Sequence, residues 1–154
     1  MIQSYTEQPI ILTSNASPVT FTTDCIKSKA ADCRCGGFLQ HMEGSPIYKI
    51  LEGGLYEVTF NANVTSATAG PVALALFMDG VIVPGTTVIE TVVTPGDYSN
   101  IAFTKKFKIC CRGDASLSVQ SVPSVLTGTT LPGTATDTVA PIIQNANFTL
   151  SRKA

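Results

Sequence analysis

Hydrophobic and polar residues alternate along most of this chain with a period of two residues. In the stretch LYEVTFNANV, Tyr56 and Val58 share one face, whereas Glu57 and Thr59 share the other. This alternation is typical of a β-strand that is buried on one side only. The same pattern recurs in three later segments, residues 101–111, 116–122 and 142–150. No segment shows the 3.6-residue period of an amphipathic helix, so the pattern predicts an all-β protein.

The alternation also predicts which side chains are buried. Cys111 shares its side of the strand with Phe107 and Ile109, so it is expected to face inward, whereas Cys110 is expected to face outward. In the last strand, the residues expected to face inward are Ile142, Ala146, Phe148 and Leu150.

Turn residues separate the predicted strands. Residues 72–78 are apolar on both faces, which predicts a central strand or a strand in a subunit contact. The Asp79-Gly80 pair that follows is typical of a tight hairpin, and Pro84-Gly85 and Pro95-Gly96 mark two further turns. Residues 126–141, rich in Thr, Gly and Pro, are typical of a long loop. Short strands separated by Gly- and Pro-containing turns favour an antiparallel β-sandwich of jelly-roll type.

The N-terminal third is less regular than the rest of the chain. We predict an irregular segment over residues 1–37, with short strands and a cysteine-bearing loop at residues 24–37, followed by a jelly-roll domain over residues 38–154. At 154 residues the chain is most simply a single domain overall, large enough for a core of its own.

The amino-acid composition limits which classes of binding partner are expected. Charged residues make up 14% of the chain and the net charge is −1. Ordinary globular proteins carry roughly 25% charged residues, so this surface is rich in Ser, Thr, Asn and Gly, which suits an assembly or a particle surface. Because there is no basic footprint, we expect no nucleic-acid partner. An apolar run of ~18 residues and the pattern of a secretory signal are both missing, so we expect no membrane partner.

Five cysteines are the main candidates for special chemistry. A disulfide from the loop with Cys33 and Cys35 to the strand with Cys110 and Cys111 is the favoured interpretation, because it would pin an irregular segment to the sheet. Such a cross-link stabilises a fold by about 2–4 kcal/mol. Cys25 remains available to pair between subunits, and free buried thiols are the other alternative.

A metal site is a second interpretation of the same residues. Cys33, Cys35, His41, Cys110 and Cys111 together offer enough ligands for a structural zinc, although the Cys-x-x-Cys spacing typical of zinc sites is absent. Calcium at the Asp-Gly turns is also open, although the EF-hand spacing is absent. We therefore predict no cofactor, and structural zinc or calcium remains the alternative.

No residue is predicted to be catalytic. His41 is the only histidine, and a Ser-His-Asp or Cys-His nucleophile system would have to use it. We expect it instead to make a local hydrogen bond, since no Gly-x-Ser-x-Gly elbow is present. The tripeptide Arg112-Gly113-Asp114 matches an integrin-binding signal, but its position after a strand is typical of a simple turn.

Part of the chain carries a family resemblance. The stretch GGLYEVTFNANVTSATAGPVALALFMDGVIVPGTTV resembles the globular heads of trimeric jelly rolls of the tumour-necrosis-factor and complement type. It is most similar to their bacterial branch, which includes the C-terminal head of the collagen-like exosporium glycoprotein of bacilli. There, too, a GxYxVxF strand precedes an apolar strand and a turn of the form xxGVxVPGS/T.

The layout of nearly the whole chain is similar to that of small jelly-roll proteins of clostridial genomes and prophages. The matching segments are Cys33-Arg34-Cys35, QHMEGS at residues 40–45, Cys110-Cys111 and IQNANFTLSRK at residues 143–153. The chain departs from this pattern in Gln40 and Met42, where basic residues are common, and in the longer loop at residues 126–141. It also contains no collagen-like Gly-x-y stalk.

The resemblance implies a homotrimer with a structural or binding role. We therefore predict a non-enzymatic phage virion component, such as a capsid decoration, a head fibre or a tail-associated knob. Expected partners are other virion or surface-layer proteins, contacted through the N-terminal segment, and a host-surface glycan or receptor, contacted at turns such as Asp79-Gly80. The alternatives are a disulfide-linked spore-surface or appendage subunit, located on the spore or cell surface, and a metal- or glycan-binding module.

Overall fold

The computed structural model describes residues 1–13, 16–27, 38–110, 114–122 and 138–153. Within these residues the chain forms twelve β-strands and no helix. The strands are β1 (Ile2–Thr6), β2 (Ile10–Ile11), β3 (Thr23–Lys27), β4 (Leu39–His41), β5 (Tyr48–Ile50), β6 (Gly54–Ser66), β7 (Gly70–Met78), β8 (Val81–Ile82), β9 (Val88–Val92), β10 (Ser99–Ile109), β11 (Ala115–Ser121) and β12 (Pro141–Lys153).

The strands form two six-stranded sheets that pack face to face. The order in the first sheet is β10-β6-β12-β1-β3, with β2 also paired to β12. The order in the second sheet is β4-β5-β11-β7-β8, with β9 also paired to β7. Neighbouring strands are antiparallel throughout. This antiparallel β-sandwich confirms the predicted fold class.

The inner faces of the two sheets meet in one hydrophobic core. Tyr56 and Phe60 of β6, Phe148 of β12 and Leu74 of β7 have no exposed surface. Each side chain of this size contributes about 1.5–3 kcal/mol when it is fully buried. The alternation predicted for β6 is confirmed, because its alternate residues from Tyr56 to Val64 are all fully buried.

Strand β7 is buried on both faces, as its sequence predicts. It lies inside the second sheet, with β11 on one side and β8 and β9 on the other. Its inner residues belong to the main core. Its outer residues Ala73, Ala75 and Phe77 form a second hydrophobic cluster with Val122, which directly follows β11.

The last strand departs from its predicted pattern at one position. A bulge between Gln144 and Asn147 shifts the register of β12 against β6, and Asn145 has a φ of 53°. An extra residue in one strand reverses the alternation, so that residues before the bulge point to the opposite face from the one that parity with the residues after it predicts. Ile143 is therefore fully buried and Ile142 only partly so, and the prediction for Ile142 is wrong. The predictions for the other three residues are confirmed: Ala146, Phe148 and Leu150.

The N-terminal segment contributes three strands to the first sheet, β1, β2 and β3. β1 lies between β12 and β3, with Ile2, Ser4 and Thr6 buried. Residues 24–27 belong to β3 rather than to the predicted cysteine-bearing loop, because they pair with β1. The rest of that loop lies outside the described residues, and the division of the chain after residue 37 stays a prediction.

The predicted turns can be checked where the structure describes them. Asp79 and Gly80 have φ values of 51° and 80° and join β7 to β8 as a two-residue hairpin, which confirms that turn. Gly85 and Gly96 also have positive φ values, 76° and 90°. Most of the long loop predicted at residues 126–141 lies outside the described residues, and Pro141 begins β12.

Candidate functional site

Three polar side chains are buried between the two sheets, and we call them the Ser4–Asp24–His41 cluster. Ser4 on β1 is opposite Asp24 on β3 in the first sheet, whereas His41 lies on β4 in the second sheet. Ser4 is fully buried, and the side chains of Asp24 and His41 have no exposed surface. The cluster therefore joins the two sheets beside the edge strand β3.

A continuous chain of hydrogen bonds runs through the cluster. The Ser4 hydroxyl donates to Asp24 Oδ1. His41 Nδ1 lies 2.6 Å from the same oxygen, and His41 Nε2 lies 2.9 Å from the carbonyl oxygen of Ser45. Because a carbonyl can only accept, His41 Nε2 donates to Ser45. The contact between His41 Nδ1 and Asp24 Oδ1 is a second hydrogen bond of the same ring. Such charge-assisted bonding is what makes a buried carboxylate tolerable away from water.

Aromatic rings enclose the cluster on its inner side. The His41 ring stacks on Tyr48 at a centroid distance of 4.0 Å, and Tyr48 stacks on Phe148 at 4.2 Å. Burial raises the pKa of the Tyr48 phenol; the Ser4 hydroxyl opposes this effect, and the negative charge of Asp24 adds to it. Tyr48 is therefore neutral at ordinary pH.

The cluster contains the residue types of a serine nucleophile system, but in an order that cannot activate a nucleophile. In such a system the serine hydroxyl contacts the histidine. Here Ser4 contacts Asp24, and the outer nitrogen of His41 is bonded to the Ser45 carbonyl. No atom of the three side chains is open to a substrate. His41 thus makes local hydrogen bonds, and the arrangement can stabilise the fold.

The two described cysteines lie at opposite edges of the first sheet. Cys25 on β3 and Cys110 directly after β10 are exposed free thiols, and β3 and β10 are the ends of the strand order. The exposure of Cys110 confirms its predicted outward orientation. Cys33, Cys35 and Cys111 lie outside the described residues. The disulfide between the cysteine loop and the strand at residues 110–111 therefore stays a prediction.

The predicted metal ligands are only partly described. Within the described ranges, no three His, Cys, Asp or Glu side chains form a group that could hold a metal ion. Both ring nitrogens of His41 are already engaged, by Asp24 and by Ser45. The zinc alternative stays a prediction, since Cys33, Cys35 and Cys111 lie outside the described residues. The calcium alternative also stays a prediction.

Only the last residue of the Arg112-Gly113-Asp114 tripeptide is described. Asp114 is exposed and directly precedes β11. The other two residues lie outside the described ranges, so the turn at this tripeptide stays a prediction.

The outer face of the first sheet carries small uncharged side chains, and we call it the uncharged face. They project from β10, β6 and β12 on the side opposite the core: Thr59, Asn61, Asn63, Ala102, Thr104, Asn147 and Thr149. The side chains contact one another along the sheet. The hydroxyls of Thr59 and Thr104 lie 3.3 Å apart, and Asn147 Nδ2 donates to Asn61 Oδ1 at 3.2 Å.

Charged side chains gather at one end of the uncharged face. Glu57 Oε1 lies 2.7 Å from Lys153 Nζ, and Glu57 Oε2 lies 3.4 Å from Lys106 Nζ. The hydrogen bond from Lys153 lowers the pKa of Glu57; partial desolvation opposes this, and the charges of Lys153 and Lys106 support it. The middle of the face therefore remains free of charge.

Sequence reasoning identified His41 but missed its partners. Ser4 and Asp24 lie on other strands, and no local motif connects them to His41. The polar residues at inward positions of β1, Ser4 and Thr6, were the available signal, since buried polar groups are almost always hydrogen-bonded. That signal required β1 to be recognised as a strand first.

Comparisons with known proteins bear on the fold. No protein-family model and no curated protein matches the chain. Among solved structures, the globular domain of the zebrafish complement 1qA protein is similar over 99% of this chain and 98% of its own, at 12% identity and a TM-score of 0.55. Eiger TNF from S. frugiperda is similar over 99% of this chain and 92% of its own, at 11% identity and a TM-score of 0.53.

A third solved structure gives the same result. Murine APRIL is similar over 93% of this chain and 98% of its own, at 10% identity and a TM-score of 0.51. Among the residues that the structure describes, no helix has the length and apolar character needed to cross a membrane. Similarity at these identities concerns architecture and leaves function to the residues themselves. From its two antiparallel sheets and these full-length matches, the chain has the jelly-roll fold of the tumour-necrosis-factor and complement C1q type.

Proposed function

We propose that this chain is a non-enzymatic structural and binding protein that assembles as a homotrimer on the surface of a particle. The particle we favour is a phage virion, on which the protein would serve as a capsid decoration, a head fibre or a tail-associated knob. The assignment to a virion is supported by the resemblance of nearly the whole chain to small proteins of clostridial prophages. The homotrimer is also implied by the sequence resemblance to trimeric jelly-roll heads.

The uncharged face is the main structural support for the proposed homotrimer. Charged residues are depleted in the buried centres of subunit interfaces, because a charge that loses water without gaining a partner costs free energy. The middle of this face spans three long strands without a charge, and Gln3 and Tyr5 continue it onto β1. Its amides and hydroxyls bond to one another, so a second copy can cover them without leaving them unsatisfied.

A non-enzymatic role is supported by the Ser4–Asp24–His41 cluster. It holds the only histidine of the chain, and neither that ring nor the carboxylate beside it has an exposed surface. General acid–base chemistry requires the side chain to reach the substrate directly or through one water molecule. The hydrogen bonds of this histidine therefore support a structural role.

The first test is the mass of the purified protein in solution, measured by light scattering with and without reductant. We expect three times the 16.2 kDa of one chain in both conditions. Thr104→Lys places a charge in the middle of the uncharged face and is expected to lower the mass toward that of one chain. The matched control is Thr91→Lys, at an exposed position of β9 in the second sheet, which should leave the mass unchanged.

A wild-type mass of 16.2 kDa would contradict the assembly. An unchanged mass for Thr104→Lys would contradict the use of this face. Thermal melting of both variants controls for loss of folding.

The virion location is tested separately. Phage particles purified on a density gradient from a host carrying the gene should contain the chain in a fixed ratio to the capsid protein by mass spectrometry. Particles that lack the chain would overturn this location.

A spore-surface or appendage subunit is the second candidate, and the two exposed thiols favour it. Cys25 and Cys110 lie at opposite edges of the first sheet, which suits bonds between copies better than a bond within one copy. Covalent multimers that survive boiling without reductant, and that disappear in a Cys25→Ser/Cys110→Ser variant, would place this candidate first.

A further inference from the structure

A polar trough runs along β11 on the outer face of the second sheet. Leu117 and Val119 point into the main core, so the alternate residues Ser116, Ser118 and Gln120 point outward. Two adjoining hollows share Ser116, with volumes of about 340 Å³ and about 280 Å³. Ser116 lies where the two hollows meet, and we call the pair of them the polar trough.

The larger hollow is lined by polar groups from three segments. Gln40 on β4 and Lys49 on β5 are paired neighbours on the outer face, and Lys49 is opposite Ser116. Asp114, just before β11, lines the same hollow. One cationic and one anionic side chain therefore accompany an amide and a hydroxyl, so the hollow favours no strongly charged ligand.

The smaller hollow combines fixed polar groups with an apolar wall. Gln120 Nε2 donates to Ser118 Oγ at 2.7 Å, and Asp79 Oδ1 accepts the backbone N–H of Ser116 at 2.8 Å. These bonds hold the side chains in place, while the Gln120 carbonyl, the Ser118 hydrogen and the second Asp79 oxygen keep bonding capacity. Groups held before binding lose less entropy when a ligand arrives. Pro46 and Ile47 form the apolar wall.

The trough is not suited to an extended peptide. β11 is bonded to β5 on one side and to β7 on the other. A peptide that binds by strand addition needs a free sheet edge for its backbone hydrogen bonds. The trough instead offers hydroxyl, amide and carboxylate groups at its floor, which match a ligand rich in hydroxyl groups.

We propose that this trough binds a neutral oligosaccharide of N-acetylated hexoses. The sugar hydroxyls bond to the serine, glutamine and carboxylate groups, and the acetamido methyl group packs against Ile47 and Pro46. Lys49 donates to sugar oxygens in the larger hollow. The inference rests on the proposed function, since it names the class of surface ligand that such a particle protein would contact.

The test uses the full-length protein and the trisaccharide of N-acetylglucosamine as the probe. Saturation-transfer NMR is expected to show saturable binding, with transfer strongest at the acetamido methyl protons. Lys49→Ala, Ile47→Ser and Gln120→Ala are each expected to weaken binding by about fivefold to tenfold, the loss of roughly one hydrogen bond or apolar contact. Lys108→Ala and Val93→Ser make the same changes at exposed positions outside the trough and should bind as the wild type does.

Three outcomes would overturn the proposal. They are absence of saturable binding, trough variants that bind as tightly as the controls, and displacement of the sugar from the wild type by tetra-alanine at equal concentration. Light scattering on the same samples separates this inference from the proposed function. A trimer that binds no sugar overturns only the trough, whereas a monomer that binds sugar overturns the assembly and leaves the trough standing.

Discussion

Single buried residues connect the two sheets of this protein. The Ser4–Asp24–His41 cluster bonds β1 and β3 of the first sheet to β4 of the second, and the His41 ring packs against Tyr48 at the same place. In a buried environment such bonds have a low effective dielectric around them and are costly to break. Substitutions that remove even one hydrogen-bonding group beside β3 should therefore lower the stability of the fold.

His41→Ala is expected to lower the free energy of unfolding by about 3 kcal/mol, because it leaves the Asp24 carboxylate buried with one partner fewer. Urea unfolding at pH 7 provides the measurement. Gln40→Ala, at the exposed neighbouring position, should change the free energy by less than about 0.5 kcal/mol. The double variant Asp24→Asn/His41→Ala should cost less than the sum of the two single variants. Strict additivity would argue against the bond between Asp24 and His41.

Because of Tyr48, the free energy of unfolding is expected to depend on pH in the alkaline range. Burial raises the pKa of its phenol, so the unfolded chain releases this proton first. The stabilisation is complete below the ordinary tyrosine pKa of about 10 and is lost as the pH rises above that value. Over that range one such group steepens the decline by up to about 1.4 kcal/mol per pH unit. Urea unfolding between pH 8 and pH 11, under reductant, should show a shallower decline in Tyr48→Phe.

Tyr98→Phe is the control for this pH dependence, because Tyr98 is exposed. It should follow the wild-type profile. A Tyr48→Phe profile that coincides with the wild type would show that this phenol ionises as readily in the folded state as in the unfolded state.

At the scale of elements, the start of β7 depends on a close approach to the segment that enters β12. Gly70 has a φ of 152°, and a Cβ at this position would lie 2.7 Å from Val139 Cγ1. Val139 is held there by a 2.8 Å hydrogen bond from its backbone N–H to the Pro71 carbonyl. A side chain at residue 70 therefore meets both a strained backbone and an occupied space.

Gly70→Ala is expected to destabilise the protein by about 1–3 kcal/mol, from backbone strain and overpacking. Gly96→Ala isolates the backbone effect, because Gly96 has a φ of 90° and open space around it. We expect it to cost less than Gly70→Ala in urea unfolding. Adding Val139→Ala to Gly70→Ala should recover part of the loss. Equal costs for the two glycines would remove the close contact as an explanation.

At the scale of the whole molecule, the first sheet is completed by the first residues of the chain. β1 fills the space between β12 and β3 and brings Ser4 into the buried cluster. The described strands of the N-terminal segment are therefore part of this sheet. The uncharged face and the polar trough lie on opposite outer faces of the sandwich, so assembly and ligand binding need not compete for the same surface.

Deletion of residues 1–7 is expected to lower the melting temperature by roughly 10 °C or more, because several kcal/mol are lost and each is worth about 2–4 °C in a domain of this size. Scanning calorimetry provides the measurement. Deletion of residues 153–154 is the control, since it removes the last residue of β12 and its surface ion pair with Glu57, and an exposed ion pair is worth less than about 1 kcal/mol. A shift of similar size in both deletions would contradict the structural role of β1.

The extent of sequence prediction differs from one strand to another. In β6 the residues from Tyr56 to Val64 follow the alternation, because apolar side chains mark the core side at each step, and only at the end of the strand is Thr65 buried against the pattern. In β1 only Ile2 is apolar on the core side, while Ser4 and Thr6 are polar, so the same rule has too little signal. In β12 the bulge beside Asn145 reverses the faces, and Ile142 and Ile143 are adjacent and equally apolar. Parity counted back from Phe148 selects Ile142, and the bulge is what moves Ile143 inward instead.

By itself, the sequence determined the all-β class, the buried face of β6, the burial of β7 on both faces and the Asp79-Gly80 turn. These features depend on local alternation and on turn residues whose backbone preferences act within a few positions. Only the tertiary structure decided the place of β1, the hydrogen bonds of His41, the uncharged face and the trough along β11. Each of these is formed by segments far apart in the chain, and the pairing register that brings them together is not encoded in any one of them.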